Sequence, residues 1–427
     1  MSQVRGFTEA EAFQAHQSPL PWRFIGALSI AVFGAAWGFL DIMAIAVVCG
    51  GGSEGTVYAG AYVATTMVFT ALTVPQVPRA CDRLGDVAAF RLSKLGLVLA
   101  WGLAGILLLQ GLTEQWLLLV FAPFFGALAG FSAVLNPLMA KHLMGGSDMS
   151  RVFAVMSAVG GASWAAGALL GGWISSHVAD GWGVLAAGLA TIPLAFLSIR
   201  PTPTPDTAKP LADSSSALGT WQMLRSSREF RTVVLLGVAL ACIVAPVIPL
   251  LVPISEELFP HNFKLTAGVM MASMSLGGAM AALLIKWLKR VREDLSAARI
   301  CALSCGFLLL LFAVNVYAFS EYLVLELIFW VILSLAFGAC FDAARALSLG
   351  AAVSLGAGGD ASRMISVFLF AATFAAPMGV LGWSMTIECL SVRHALSAAA
   401  LAMLLVVVLL LRQPKSSAAS VGHGEKI

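Results

Sequence analysis

The stretch VPRACDRLGDVAAFRLSK, Val77 to Lys94, decides how this chain is read. Arg79, Asp82, Arg83, Asp86, Arg91 and Lys94 crowd together there, between long apolar runs on either side. Over all 427 residues only 11% are charged and 59% are hydrophobic, which leaves too little polar surface to clothe a water-soluble globule. The island reads as a loop joining two membrane-spanning segments.

Runs of about 20 apolar residues cross a hydrocarbon core of about 30 Å. The sequence predicts twelve of them, here called spans one to twelve, beginning near Phe24, Thr56, Leu95, Trp116, Val152, Trp182, Thr232, Leu265, Ile300, Leu323, Met364 and Ala395. The first run is too long for a signal-peptide core and is expected to remain as a span. Between Arg200 and Arg231 the chain turns rich in Pro, Ser and charge, which reads as a linker. The expected order is an N-terminal segment (1–21), a six-helix bundle (22–199), the linker (200–231), a second six-helix bundle (232–412) and a tail (413–427). The fold class is therefore all-α, with twelve transmembrane helices in two bundles.

Basic residues orient the spans. Of 25 lysines and arginines, all but Lys264, Arg345 and Arg393 fall on one side when the N-terminus is placed in the cytoplasm. Both termini are thus expected inside, and the net charge of +3 reports topology, with no nucleic-acid partner implied. The cysteines sit mostly within apolar runs and read as small packing residues. Met270, Met271, Met274 and Met280 have no His or Cys among them and read as packing, so neither a metal nor a cofactor is expected.

An internal repeat supports the two bundles. SDMSRVFAVMSA (Ser147–Ala158) resembles GDASRMISVFLFA (Gly359–Ala371), which places Asp148, Ser150 and Arg151 on Asp360, Ser362 and Arg363 at a shift of 212 residues. The same shift carries Phe125 and Gly126 onto Phe337 and Gly338, and Gly167 onto Gly379. Duplicated halves around a central linker suggest a transporter whose bundles rock about a site near the membrane midplane.

Asp82-Arg83-Leu84-Gly85 resembles the DRxG heart of the signature that the major facilitator superfamily carries between spans two and three. Pro78, Asp86 and Val87 depart from that signature, and Arg91 and Lys94 partly restore its basic end. At the shift of 212, Asp294 falls on Asp82. GGASWAAGALLGGW (Gly160–Trp173) is similar to the glycine-rich stretch of the superfamily's exporters and antiporters in span five, with Gly167, Gly171 and Gly172 in place. Ala168 stands where that stretch has proline, and Ala122 where antiporters have an arginine in span four. The resemblance implies alternating access, with Asp82, Arg83, Gly85, Asp148, Arg151, Asp360 and Arg363 as gating residues that latch the cytoplasmic face, and the span-five glycines as close-packing gate positions.

Ionisable groups inside spans are the sharpest functional signal, because a charge near the bilayer centre costs about 3 kcal/mol unless a cavity or partner receives it. Asp41, in span one, is the expected proton-coupling residue. Asp342 and Arg345 in span ten are spaced i, i+3 and are expected to share a helix face and neutralise each other. Arg345 offers a forked contact to a substrate carboxylate or phosphate. The resemblance places spans one, four, seven and ten around a central cavity, so Asp342, Arg345, Asn136, Trp37 and Phe341 are the expected substrate-binding residues. Asn136-Pro137 is expected to break span four, and Pro246, Pro249 and Pro253 to kink span seven. The scattered histidines form no catalytic set, so an enzyme is not expected. The functional expectation is a monomeric, proton-coupled exporter of a small organic molecule in a bacterial inner membrane. The alternatives are an importer of an organic anion or metal chelate and a non-transporting receptor.

Overall fold

The computed structural model describes residues 36, 44–45, 55–112, 115–144, 149–178, 180–195, 227–315, 323–355 and 361–412. The N-terminal segment, nearly all of span one with Trp37 and Asp41, residues 145–148 with Asp148, linker residues 200–226, Asp360 and the tail from 413 lie outside them. So do the side chains of Arg151 and Arg363, whose backbones are helical.

The described residues form helices and no strand. Span two is Gly55–Thr73, span three Asp86–Leu109, span four Gln115–Met144, span five Met149–His177 and span six Asp180–Ala195. In the second half, span eight is Phe263–Leu288, span nine Asp294–Asn315, span ten Leu323–Leu355, span eleven Ala361–Cys389 and span twelve Val392–Leu411. Among the described residues, nine helices are long and apolar enough to cross a membrane. Leu99, Leu283, Val324 and Phe370 are among the many large apolar side chains left exposed. Such a belt is costly in water and suits lipid.

Span seven begins at Arg228, inside the stretch read as linker, because the Ser227 hydroxyl accepts from Phe230 N–H and caps the helix. It runs as α-helix to Ala239, widens to a π-turn over Leu240–Val244, tightens to a 3-10 turn over Ala245–Val247 and resumes as helix at Leu251–Leu258. The prolines explain the break: Pro246 has no N–H to return to the Cys242 carbonyl. Span four, by contrast, runs unbroken through Pro137. The expected break after Asn136 is therefore corrected. Helices tolerate proline where neighbouring groups take up the freed backbone.

The two halves repeat each other in packing. Spans two and four, three and four, and three and six pack together, as do eight and ten, nine and ten, and nine and twelve. Between the halves, span two packs on span eleven and span five on span eight. Gly55 and Asp86 open spans two and three, and Phe263 and Asp294 open spans eight and nine, a shift of 208 residues; Met149 and Ala361 open spans five and eleven at a shift of 212. The structural mate of Asp294 is thus Asp86, and the alignment with Asp82 is corrected by one helical turn.

The contacts between halves obey this symmetry residue by residue. At one, Gly60 leaves room for the Ser384 side chain, and a Cβ there would collide with it. At the other, Gly268 meets Gly172, where a Cβ on Gly268 would lie 2.6 Å from the Ala168 carbonyl and 3.1 Å from Gly172 Cα. Gly60 maps to Gly268 and Ser384 to Gly172 under the two shifts. Small residues here let helix backbones touch without a lipid layer between them. Lys264 reinforces the second crossing by donating to the Ser175 carbonyl at 3.3 Å.

Both crossings lie toward the face opposite the charged island. Farther along spans five and eight, toward the island, a Cβ added at Gly161 would lie 3.4 Å from its nearest neighbour, Ser275 O, an ordinary contact. One large apolar cluster joins residues of both halves, including Ala168, Ala267 and Val380. On the island's face the cores are separate: Val77, Phe90, Leu135 and Met139 in the first half, Phe230, Val233, Ala352 and Phe368 in the second. The halves are joined at one face and stand apart in their cores at the other.

Candidate functional site

A cavity of about 230 Å³ lies between the halves. Spans two, seven, ten and eleven line it, with Met67 and Thr70, Leu240 and Ala241, Phe341 and Arg345, and Phe368 and Thr373. Each wall has a local cause. The Phe368 ring occupies the space that a side chain at Gly237 would need, so glycine in span seven admits the aromatic wall. Phe341 stacks nearly parallel on Phe337, with centroids 6.2 Å apart. Thr70 donates to the Thr66 carbonyl at 2.8 Å and to the Gly126 carbonyl at 3.0 Å, which ties span two to span four. Pro377 in span eleven has no N–H to return to the Thr373 carbonyl.

Arg345 is the cavity's one charged lining residue among those described, and its side chain is exposed. Asp342 turns elsewhere. Its carboxylate occupies the space beside Gly278 on span eight, where a Cβ would collide with Oδ2. The two residues form no ion pair, although the sequence expectation set them on one face. An i, i+3 spacing offsets side chains by about 60° around the helix, enough here to send one to the cavity and the other to the crossing with span eight.

The other expected residues are dispersed. Asn136 is half-buried, beyond the cavity lining. Gly167, Gly171 and Gly172 are buried in span five, with Gly172 at the crossing with span eight. Gly379, the mate of Gly167, sits against the Cys242 carbonyl, the one that Pro246 leaves without its usual donor.

The charged island is two elements. Val77–Leu84 is a short helix that packs on spans three and four, and Asp82 and Arg83 on it are exposed. Gly85 ends it at φ 80°, a left-handed conformation that favours glycine and explains the Gly of the DRxG pattern. Asp86 through Lys94 then forms the first turns of span three. Lys94, expected at the loop's basic end, is fully buried, donates to Ser132 Oγ at 2.9 Å and stands 5.1 Å over the Phe90 ring. Cys81 faces Asp86, and burial together with that carboxylate and Asp82 pushes its thiol up to about 11. At the matching place in the second half, Lys289 pairs with Asp294 at 3.1 Å.

Sequence reasoning missed Met67, Thr70, Phe368 and Thr373 as cavity walls, because neutral residues in apolar spans carry no periodic mark. It also missed a buried polar group at the far end of span ten, whose signal was present: Glu326, Trp330, Ser334, Gly338 and Asp342 recur every fourth residue.

Two halves that repeat each other's packing, a cavity between them and symmetric crossings decide the architecture. This is the major facilitator fold. No protein-family description matches the chain, and no curated protein matches it. Solved structures do. A nucleoside transporter, NupG, superposes with a TM-score of 0.67 at 12% identity, covering 91% of this chain and 98% of that one. The xylose transporter XylE from E. coli, in an inward-open conformation, gives 0.68 at 10% identity over 91% and 96%. A bacterial homologue of the human lysosomal transporter Spinster, inward-facing and unoccupied, gives 0.62 at 13% identity over 92% and 96%. At such identities the major facilitator likeness is one of fold.

Proposed function

We propose that the chain is a secondary transporter that works by alternating access and exports a small organic anion against a proton gradient. The observation that carries this reading is Arg345, an exposed guanidinium on the wall of a cavity whose other walls include Phe341, Phe368 and Met67. A forked cation beside aromatic surface suits a carboxylate or phosphate attached to an apolar body. Asp41 is the proposed proton carrier, on the strength of its place in span one. Export follows the glycine-rich pattern of span five, where Gly172 packs against Gly268.

The gate has two parts in this proposal. Gly60–Ser384 and Gly268–Gly172 close one face, taken as the outer one from the distribution of basic residues. At the other face, the cytoplasmic one, Asp82 and Arg83 stand exposed, as expected of an open latch, and Gly85, Asp148, Arg151, Asp360 and Arg363 complete it on closing. The protein acts as a monomer in a bacterial inner membrane with both termini inside. A second reading, inward symport, is favoured by one neighbour, described as a D-xylose-proton symporter, with a TM-score of 0.66 at 10% identity.

Thermal shift of the purified protein with benzoate, a dicarboxylate, a phosphate monoester, xylose and a nucleoside tests the substrate class. An anion that binds the folded state raises the melting temperature. The expected result is stabilisation by at least one anion, lost in Arg345→Gln. Equal stabilisation of both proteins by xylose or the nucleoside, with none by the anions, would sink the anionic reading. Proteoliposomes loaded with the active compound then give direction: efflux under an inward proton gradient supports export, and accumulation supports symport.

A further inference from the structure

The central cavity offers acceptors as well as its one cation. Two of its walls are helices interrupted by proline, and each interruption leaves a main-chain carbonyl without a helical donor. In span eleven, Pro377 has no N–H for the Thr373 carbonyl, and Ala372, Thr373 and Ala376, which flank that oxygen, all line the cavity. In span seven, the π-turn returns the Ala245 N–H to the Leu240 carbonyl, five residues back. The next bond in that pattern would join the Ala241 carbonyl to Pro246, which has no N–H to give. Ala241 and Ala245 line the cavity, whereas the carbonyl of Cys242 is packed against Gly379.

Two threonine hydroxyls add to these oxygens. Thr70 has one hydrogen, already shared between the Thr66 and Gly126 carbonyls at 2.8 and 3.0 Å, so it presents only lone pairs to a ligand. Thr373 does not bond back to the preceding turn, as Thr386 of the same helix does to the Gly382 carbonyl at 2.7 Å, and among the described residues its hydroxyl has no partner. Spans two, seven and eleven thus bring oxygens to the space into which span ten brings Arg345. No acid lines it among the described residues. Carbonyls released from a broken membrane helix need a donor or a cation, and a cavity wall is where a ligand can supply one.

We propose that the cavity takes a small zwitterion, whose carboxylate or phosphate meets the Arg345 guanidinium and whose ammonium donates to the oxygens that Thr70, Ala241 and Thr373 present. The ammonium follows from the number of acceptors. It carries three N–H donors where a hydroxyl carries one, and three helices supply oxygens to receive them. The cavity, at about 230 Å³, falls below the range of about 300–1,000 Å³ usual for drug-sized ligands, so it suits a small molecule with its two heads close together. Phe341, Phe368 and Met67 receive the apolar body. The proposal rests on the anionic reading of this site and adds a second head to the substrate.

Calorimetric titration of the purified protein with phenylalanine, phenyllactate, phenylpropionate and phenethylamine tests the two heads separately, since the four share a ring. The expected order is phenylalanine, then phenyllactate, then phenylpropionate, with about tenfold between the first and the last. Pro377→Ala returns an N–H to the Thr373 carbonyl and Thr373→Val removes the free hydroxyl; each is expected to bring phenylalanine and phenylpropionate within about threefold of each other. Thr373→Val keeps the test decisive should Pro377→Ala alter the helix. Phenylpropionate binding as tightly as phenylalanine to the wild type overturns the second head and leaves the anionic reading standing. Phenethylamine binding as tightly as phenylalanine overturns the zwitterion through its anionic head. Tightening of phenylpropionate by sodium chloride but not by choline chloride, with no advantage for phenylalanine, would give the oxygens to a free cation and overturn the proposal.

Discussion

Span four and span ten are one helix in two copies, and they carry opposite chemistry. Both keep a glycine at the crossing with their neighbour: a side chain on Gly126 would collide with the Thr66 carbonyl of span two, and one on Gly338 with the Met274 carbonyl of span eight. Around that shared point the copies diverge. Where span four has Leu118, Ala122, Gly130 and Ala133, span ten has Trp330, Ser334, Asp342 and Arg345. Even the partners trade sizes. Gly130 admits the Thr70 carbonyl, which a Cβ there would meet at 2.8 Å, whereas Gly278 admits the carboxylate of Asp342. Duplication held the backbone contacts fixed, because each one needs a missing side chain, and left the residues beside them free to become polar in one half.

The shared part of that comparison should break most violently. Gly126→Val and Gly338→Val each force a branched side chain into a neighbouring backbone, and overpacking of this kind costs about 1–3 kcal/mol or more. Both variants are expected to lower the melting temperature in detergent by similar amounts. A large loss in one and none in the other would mean that the crossings are not equivalent.

The divergent part is tested by a cycle on Asp342 and Arg345. Side chains that point to different places, one to Gly278 and one to the cavity, make no salt bridge, yet the charge of Arg345 still reaches Asp342. Asp342→Asn and Arg345→Gln are therefore expected to depart from additivity by about 0.5 kcal/mol in the double variant, the low end for neighbouring residues. A coupling well above that value would show that the pair closes in solution, as the i, i+3 spacing alone suggests.

This cycle also marks where the sequence was legible. Composition and run length carried the architecture, because a lipid-facing helix has to be apolar along its whole length. The repeat carried the crossings, because Gly126 and Gly338 answer to the same steric demand. Depth and azimuth were not readable to better than a turn. Lys94 therefore passed for a loop residue although it is fully buried against the Phe90 ring, Asp294 was set on Asp82 instead of Asp86, and Asp342 was paired with its neighbour in sequence. The cavity walls Met67 and Thr373 have no sequence mark, since what makes them walls is the helix across from them. Asp41, Trp37, Asp148 and Asp360 lie outside the described residues.

A smaller effect separates the two loops on the island's face. Asp294 pairs with Lys289 at 3.1 Å on a half-exposed surface, so Asp294→Asn should cost at most about 1 kcal/mol. Asp82 is exposed, and Asp82→Asn should leave the melting temperature unchanged in this conformation. Its effect belongs to the closed latch. Spin labels across the mouth should show the halves staying apart when a bound anion would otherwise close them, and identical distance distributions in variant and wild type would reduce the island to a topology signal.

The smallest effect lies one turn away and is chemical. Cys81 occupies the place that Lys289 holds in the second half, and each faces the first aspartate of the following span. A lysine there gains from the carboxylate, but a thiol is held neutral by it. Burial, then the charge of Asp86 and its hydrogen bond, then Asp82, push the Cys81 thiol from 9.0 to about 11. The thiolate is the nucleophile, so alkylation by a maleimide should be slow at pH 7 and should climb tenfold per pH unit until about 11. Asp86→Asn removes the carboxylate's share and leaves burial, the largest cause, in place. The variant should react several-fold faster at neutral pH while its reactivity still rises with pH beyond 9.0. Equal rates in the two proteins would mean that Asp86 does not reach the thiol, and the likeness between the Cys81–Asp86 and Lys289–Asp294 corners would then be one of position alone.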